Sequence, residues 1–198
     1  MVGAIAVLIA GSVGVSLGLL SGYYGGRIDS MISWLANVQL SFPFILLVIA
    51  LVAVVGAGLV NVIVVLGLAS WVVYQRVVRG EALAVREREY IDAARCIGAR
   101  DSQILRRHIL PNVLTPVVVI GTLQVAQMII AEAALSFLGL GVQPGIPSWG
   151  SMLADGRNYI TAAWWVATLP GIAIVITVLG INLLGDWLRD ELDPRLRT

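Results

Sequence analysis

The sequence predicts an all-α fold, a polytopic transmembrane helical bundle with five spans. Of its 198 residues, 59% are hydrophobic and 13% are charged, whereas a soluble domain usually carries about 25% charged residues. The apolar residues fall into five runs, each long enough for a helix to cross the ~30 Å hydrocarbon layer. The runs do not alternate between apolar and polar residues, as strands of a membrane barrel do.

The five runs define one transmembrane domain, residues 1–198, with spans at about 2–21, 31–55, 59–78, 113–138 and 165–184. Pro43 interrupts the second run and is expected to kink it, because neighbouring helices in a bundle satisfy the backbone groups that a proline frees. Four glycines within the spans are expected to let helices pack closely: Gly14, Gly18, Gly121 and Gly180.

The arginines distinguish the two ends of the bundle. If all five runs cross, 12 of the 13 basic residues fall on one side: Arg27, eight between Arg76 and Arg107, and three in the C-terminal tail. Only Arg157 falls on the other side. The positive-inside rule makes the Arg-rich side cytoplasmic, together with the loop 79–111 and the C-terminus. Met1 then lies outside at the start of an apolar run, and we expect that a preceding span is missing.

The loop between the third and fourth spans is too polar to cross a membrane, and its spacing is helical. Asp92 and Arg95 stand three residues apart, as in a helical ion pair. On the same segment, Ala93, Ala94 and Ile97 are expected to form a small apolar face. The pattern therefore predicts a helix in this loop.

Three further residues give the loop a predicted shape. Gly98 suits the end of the first helix, Asp101 suits the cap of a second short helix, and Pro111 is expected to end that helix and start the next span. The predicted object is a helix–glycine–helix elbow at the cytoplasmic surface. The residues alone leave a second interpretation open, a basic amphipathic loop that rests on anionic lipid headgroups.

The elbow sequence resembles the EAA loop of ABC importer permeases. Asp92–Ala93–Ala94 is followed after three residues by Gly98, and after nine more by His108–Ile109–Leu110–Pro111. Asp92 stands where the family has Glu, and His108 stands in place of Ile. The resemblance implies that the elbow docks into a groove on an ATP-binding subunit. The coupling residues that it implies are Glu89, Tyr90, Asp92, Ala93, Ala94, Gly98, Leu110 and Pro111.

Three other segments resemble the dipeptide/oligopeptide/nickel permeases: Gly22–Asp29, Glu132–Gly150 and Asn182–Arg195. The resemblance implies an importer subunit for di- or oligopeptides, or related solutes such as nickel, in a bacterial or archaeal cytoplasmic membrane. Members usually have six spans. The implied partners are a second homologous permease, two ATP-binding subunits, an extracytoplasmic substrate-binding protein and the lipid bilayer, with no nucleic acid.

No phosphate-binding GxxxxGK[ST] motif occurs in the chain. We therefore expect no enzyme activity and no cofactor here, with ATP and Mg bound by the partner subunits. An ATP-independent channel or carrier is the alternative function. An intramembrane enzyme would need a catalytic constellation such as paired intramembrane aspartates or an H-E-x-x-H motif, and the sequence has neither.

Two further sites are candidates outside the elbow. Glu132 lies near the end of the fourth span, and an intramembrane carboxylate is a candidate pathway residue; hydrogen bonding within a helix interface, or a place near the outer surface, are its alternatives. The resemblance implies that the external loop 139–164 carries a short re-entrant or surface helix near 148–160, facing the substrate-binding protein. The resemblance makes Trp149, Asp155 and Arg157 candidate contacts of the binding protein, although tryptophans there also suit interfacial anchoring.

Overall fold

A computed structural model describes residues 1–142 and 145–192. The described residues form ten α-helices and no strand, which confirms the all-α prediction. Pro144, Arg195 and Arg197, which entered the resemblance and the charge argument, lie outside the described residues. The helices are α1 (Val2–Tyr24), α2 (Gly26–Leu40), α3 (Phe44–Val55), α4 (Leu59–Ala69), α5 (Trp71–Arg86), α6 (Glu89–Cys96), α7 (Asp101–Ile104), α8 (Leu110–Phe137), α9 (Trp149–Gly156) and α10 (Trp165–Leu192).

Within this part of the chain, four helical stretches are long and apolar enough to cross a membrane: Val2–Tyr24, Leu59–Arg86, Asp101–Phe137 and Trp165–Leu192. The pair α2 and α3 makes a fifth if it counts as one span, but the two helices meet at 90°. The second predicted span is thus broken and begins at Gly26 rather than at residue 31. Pro43 supplies the reason, because proline cannot donate a helical hydrogen bond and pushes the preceding residue out of helical geometry.

The third span also differs from its predicted extent. Helix α5 runs to Arg86, so the first eight residues of the predicted loop 79–111 continue the span. The break between α4 and α5 is at Ser70, whose hydroxyl donates to the carbonyl of Leu66 at 2.7 Å. The loop between the third and fourth spans is therefore shorter than the sequence indicates, and it begins after Arg86.

Helices α1 and α5 form the centre of the bundle through a stripe of glycines on α1. Gly14, Gly18 and Gly22 all face α5. A Cβ on Gly18 would lie 2.7 Å from the Cβ of Val78, and one on Gly22 would lie 2.6 Å from the Cβ of Ala82. Such distances leave no room for any side chain, so the two backbones touch, as small residues allow in membrane bundles.

The remaining two glycines expected to mediate packing behave differently. A Cβ on Gly121 would come no closer than 3.7 Å to the hydroxyl of Tyr74, which is an ordinary contact. A Cβ on Gly180 would meet no described atom within 4 Å, so the expectation for Gly180 is wrong within this chain. Helix α10 instead approaches α8 at Gly185, where a Cβ would lie 2.5 Å from the hydroxyl of Thr122.

The end of the bundle opposite the elbow carries the short helix α9, in the stretch where the resemblance implies one. Ser148 caps it, since its hydroxyl accepts a hydrogen bond from the backbone N–H of Ser151 at 3.2 Å. Gly150 sits against the backbone of Ala133 in α8, and Gly156 sits against Ala167 in α10. Helix α9 therefore packs across the end of α8 and the start of α10.

The glycine stripe generates a first prediction. Gly18→Ala should lower the thermal unfolding temperature of the detergent-solubilised chain, because overpacking costs roughly 1–3 kcal/mol. Gly180→Ala is the matched control, since its methyl group enters open space. Equal unfolding temperatures for the two variants would show that the stripe does not hold α1 against α5.

Candidate functional site: the elbow between α5 and α8

The first half of the elbow is helix α6, and Gly98 ends it as the sequence predicts. Gly98 has a φ of 82°, which glycine adopts without a steric cost. Its N–H donates to the carbonyl of Arg95 at 2.9 Å, and the N–H of Ala99 donates to the carbonyl of Ala94 at 3.0 Å. This hydrogen-bond pair is the Schellman motif, which turns the chain sharply toward α7.

The second half starts one residue earlier than predicted. The capping residue of α7 is Arg100, whose backbone N–H donates to Oε1 of Gln103 at 3.1 Å. Asp101 is the first helical residue instead. Its carboxylate accepts a hydrogen bond from the hydroxyl of Tyr23 at 2.7 Å, so it is used in a tertiary contact and the prediction that it caps α7 is wrong.

Pro111 does not end the second helix. A π-helical turn (Leu105–Ile109) joins α7 to α8, and Asp101–Phe137 forms one helical stretch. In this turn the N–H of Leu110 donates to the carbonyl of Leu105. The wider turn carries the helix into the first residues of α8, where a proline's missing N–H is tolerated.

The inner face of the elbow packs into the bundle. Three isoleucines from its two halves, Ile91, Ile104 and Ile109, are completely buried. They lie in one cluster with residues at the ends of α1, α5 and α8: Tyr23, Val78, Ala82, Val85 and Val113. The elbow is therefore a fixed part of the bundle, and displacing it displaces the helices on which it packs.

The outer face of the elbow is exposed and small. Ala93 and Gly98 are exposed, and Ile97 between them is 86% exposed. Ala94 is buried, so the expectation that it shares one apolar face with Ala93 and Ile97 is wrong. Ala94 follows Ile91 by three residues and shares its inward stripe, whereas Ile97 follows Ala93 by four.

The other predicted coupling residues surround this face or adjoin it. Glu89, Tyr90 and Asp92 are exposed on α6. The ring of Tyr90 lies 6.0 Å from that of His108. Leu110 is half-buried against the inner cluster, and Pro111 is exposed at the start of α8.

Polar contacts tie the elbow to the end of α1. Arg95 forms an ion pair with Asp92 at 2.9 Å, as their spacing predicts, and its guanidinium lies 5.9 Å from the ring centroid of Tyr23. Burial disfavours the charged form of Arg95, but hydrogen bonds with Tyr23 and Asp92 outweigh that effect and raise its pKa. Tyr23 therefore touches both halves of the elbow.

Two arginines of α5 hold the neighbouring turn. Arg86 donates to the backbone carbonyls of Gly22 and Tyr23 at 3.4 and 3.1 Å. Arg79 forms a bidentate pair with Asp29 of α2, at 2.5 and 2.6 Å, the strongest geometry for an arginine–carboxylate contact.

Sequence reasoning missed these links because they join residues some fifty to eighty positions apart, beyond any helical periodicity. The one hint of these contacts was that the segment Gly22–Asp29 resembles the permease family, but the resemblance gave that segment no role.

Glu132 lies in the last turns of α8 and is half-buried. The hydroxyl of Ser136 donates to its carboxylate at 2.7 Å, and the N–H of Val142 donates to the same hydroxyl at 3.3 Å. Glu132 is thus hydrogen-bonded within its own helix to Ser136, and the same hydroxyl of Ser136 binds the first residues after α8.

Two of the three candidate contacts of the binding protein, in the loop between α8 and α10, line the same cleft. Asp155 and Arg157 line a cleft of about 720 Å³ between the end of α8 and helix α9. Arg157 lies 5.8 Å from the ring centroid of Phe137. Trp149 is 39% exposed at the first position of α9 but does not line the cleft.

The contact of Tyr23 with the elbow generates a second prediction. Tyr23→Phe should speed hydrogen exchange of the backbone amides of α6 and α7 by about tenfold or more, because a hydrogen bond to a charged group is lost. Tyr24→Phe, at an exposed neighbouring ring, is the control. Unchanged exchange in Tyr23→Phe would mean that the apolar cluster alone holds the elbow.

Two proteins similar to this chain are named as permease proteins of transport systems. The glutathione transport system permease protein GsiD of Pectobacterium atrosepticum is 46% identical over 196 residues, which cover 99% of this chain and 65% of that protein. The dipeptide transport system permease protein DppC of Alkalihalophilus pseudofirmus is 44% identical, over 100% of this chain and 65% of its own length. The chain thus spans just under two thirds of these relatives.

Solved structures show the same fold. An inward-facing structure of the MetNI methionine ABC transporter superposes with a TM-score of 0.73 at 23% identity, covering 97% of this chain and 91% of the other. Residues 14–198 match the family model described as binding-protein-dependent transport system inner membrane component. The chain belongs to this family of multi-pass membrane proteins.

Proposed function

We propose that the chain is a permease subunit of an ATP-driven ABC importer, forms part of its translocation pathway, and receives force from a separate ATP-binding subunit through the elbow. The observation that carries the proposal is the two-sided structure of the elbow. Its inner isoleucines are completely buried in the bundle, while Ile97 on its outer face is 86% exposed. A segment that is fixed to the bundle on one face and small and apolar on the other suits docking against a partner.

The small outer face suits a groove on a partner. Ala93 and Gly98 allow a partner backbone to approach closely, and Ile97 supplies an apolar side chain for it to cover. Glu89, Tyr90 and Asp92 rim the face with polar groups that fix its orientation. Leu110 and Pro111 connect the elbow to α8, so a displacement of the elbow moves α8.

The proposed assembly contains a second homologous permease, two ATP-binding subunits and an extracytoplasmic substrate-binding protein. It lies in the cytoplasmic membrane of a bacterium or archaeon, with the Arg-rich end and the C-terminus in the cytoplasm. In support, Arg189 near the end of α10 lines the same cleft as Glu81 and Pro111, so the end of α10 and the start of α8 share one end of the bundle. Trp149, Asp155 and Arg157 then lie at the opposite end, where the binding protein docks.

Short peptides are the proposed cargo. Relatives over nearly the whole chain are named for glutathione, for dipeptides and for di/tripeptides. All of these solutes carry peptide-type amide bonds, which favours peptides over nickel.

Reconstitution separates the proposal from an ATP-independent channel or carrier. The chain, assembled with the second permease and the ATP-binding subunits, should show ATPase activity that the loaded binding protein stimulates. Solute flux through the chain alone, with no co-purifying ATPase, would support the channel instead.

Gly98 provides a third prediction. A Cβ there meets no described atom within 4 Å, so Gly98→Leu should still fold, although its positive φ costs about 1–2 kcal/mol. The leucine would occupy the docking face, so ATP hydrolysis should no longer drive uptake. Gly26→Leu is the matched control: Gly26 is also exposed, has a φ of 54° and faces open space, but lies outside the elbow. Normal coupled uptake by Gly98→Leu would contradict the docking role.

Glu132 provides a fourth prediction. We propose that its carboxylate lies on the pathway, since a half-buried carboxylate inside a span is costly unless it has a function. Glu132→Gln keeps an acceptor for Ser136 and should reduce uptake about tenfold without changing the unfolding temperature. Unchanged uptake would limit Glu132 to holding the end of α8.

A further inference from the structure

Helix α5 carries a charged side chain inside the membrane span. The stretch Leu59–Arg86 has 28 residues, which corresponds to about 42 Å of helix, whereas the hydrocarbon layer is about 30 Å thick. Along this stretch Arg76 lies about 26 Å from Leu59 and about 15 Å from Arg86. Wherever the layer falls along the stretch, it therefore includes Arg76. The positive-inside count assigns Arg76 to the loop that follows, but the structure places it within the span.

The guanidinium of Arg76 is directed toward the middle of this span. Its Nη2 atom donates to Oδ1 of Asn37 on α2 at 3.0 Å. Two residues after Asn37, Gln39 donates to the carbonyl of Ala69 at 2.6 Å and accepts from the indole N–H of Trp71 at 2.8 Å. The end of α2 therefore lies beside the middle of the span. Arg76 thus does not extend its charge to the water at the helix end, as arginines near the ends of spans do.

Arg76 also lacks a neutralising partner. Within the described part of the chain it forms no ion pair, whereas Arg79, one turn further along α5, is held by both carboxylate oxygens of Asp29. Arg76 has the neutral amide of Asn37 instead, and both residues are exposed on the surface of this chain. Because a charge at this depth is costly against lipid, such a residue faces a water-filled pathway or another protein chain.

The surroundings of Arg76 leave room for a ligand. Val73 and Gly80, about one turn to either side of Arg76 on the exposed stripe of α5, carry no charge, and a Cβ on Gly80 would meet no described atom within 4 Å. A guanidinium presents its N–H donors in a planar fork that matches the two oxygens of a carboxylate. Asn37 occupies one of these donors, so an anion with two oxygens suits the others.

We propose that Arg76 lines the translocation pathway and binds the C-terminal carboxylate of the passing peptide, with Asn37 orienting its guanidinium. The inference rests on the proposed function, since it names the group of the peptide cargo that this chain recognises. Relatives are named for glutathione, dipeptides and di/tripeptides, and all of these solutes end in a free carboxylate. Arg76 is then a specificity residue that favours a peptide with an anionic end over a metal cation.

The test compares dialanine with dialanine amide, which lacks the carboxylate. Calorimetry is performed on the importer complex in phosphatidylcholine nanodiscs, without nucleotide or binding protein, so that no anionic headgroup competes. Dialanine should bind tighter than the amide by about tenfold or more, because hydrogen bonds between charged groups are at stake. Arg76→Gln should abolish this difference, and Arg76→Lys should keep part of it. Arg27→Gln is the control, since Arg27 is also exposed but lies at the start of α2.

Asn37→Asp provides a variant that keeps Arg76 and covers the case in which Arg76→Gln fails to assemble. The introduced carboxylate would pair with the guanidinium in place of the hydrogen bond that Asn37 accepts at 3.0 Å, so it would compete with the carboxylate of the peptide. This variant should weaken the binding of dialanine about tenfold, without weakening the binding of dialanine amide.

Absence of dialanine binding to the wild-type complex, or an unchanged preference for dialanine in Arg76→Gln or Asn37→Asp, would overturn the site. A lower unfolding temperature of the Arg76→Gln complex with an unchanged preference would assign the guanidinium to a contact with the second permease instead. ATPase activity stimulated by the loaded binding protein is measured separately on the wild-type complex. Failure of the importer function is therefore distinguishable from failure of the carboxylate site.

Discussion

The backbone contact between α1 and α5 is the constraint on which the rest of the structure depends. Gly14, Gly18 and Gly22 add no side chain of α1 between the two helices. The close approach fixes the end of α1 beside α5. Tyr23 follows the stripe directly, so it reaches the elbow with its hydroxyl and its ring. Arg86 then secures the same turn through backbone carbonyls.

In the proposed function, the elbow is the part of this frame that receives force from the ATP-binding subunit. Its inner isoleucines hold it on three helices, whereas its outer face offers small residues to solvent. A push on the outer face is therefore passed to α1, α5 and α8 together.

Local patterns in the sequence predicted the spans, the helical character of the elbow and its end at Gly98, because each depends on neighbours within one or two turns. They did not predict that Ala94 faces inward, since periodicity shows two faces but not which one is covered. The 90° bend beside Pro43 was also beyond reach, because proline signals a break without setting its angle. The contact of Tyr23 with Asp101 spans 78 positions and depends on the tertiary fold.

The central claim, that the outer face of the elbow docks on an ATP-binding subunit, is tested most directly through Cys96. It is the only cysteine of the chain and is exposed on α6, one residue before Ile97. A maleimide reagent applied to the importer complex and to the same permeases stripped of their ATP-binding subunits measures its accessibility. If the outer face of the elbow docks on the ATP-binding subunit, Cys96 should be labelled slowly in the complex and fast after stripping; equal labelling rates would contradict docking.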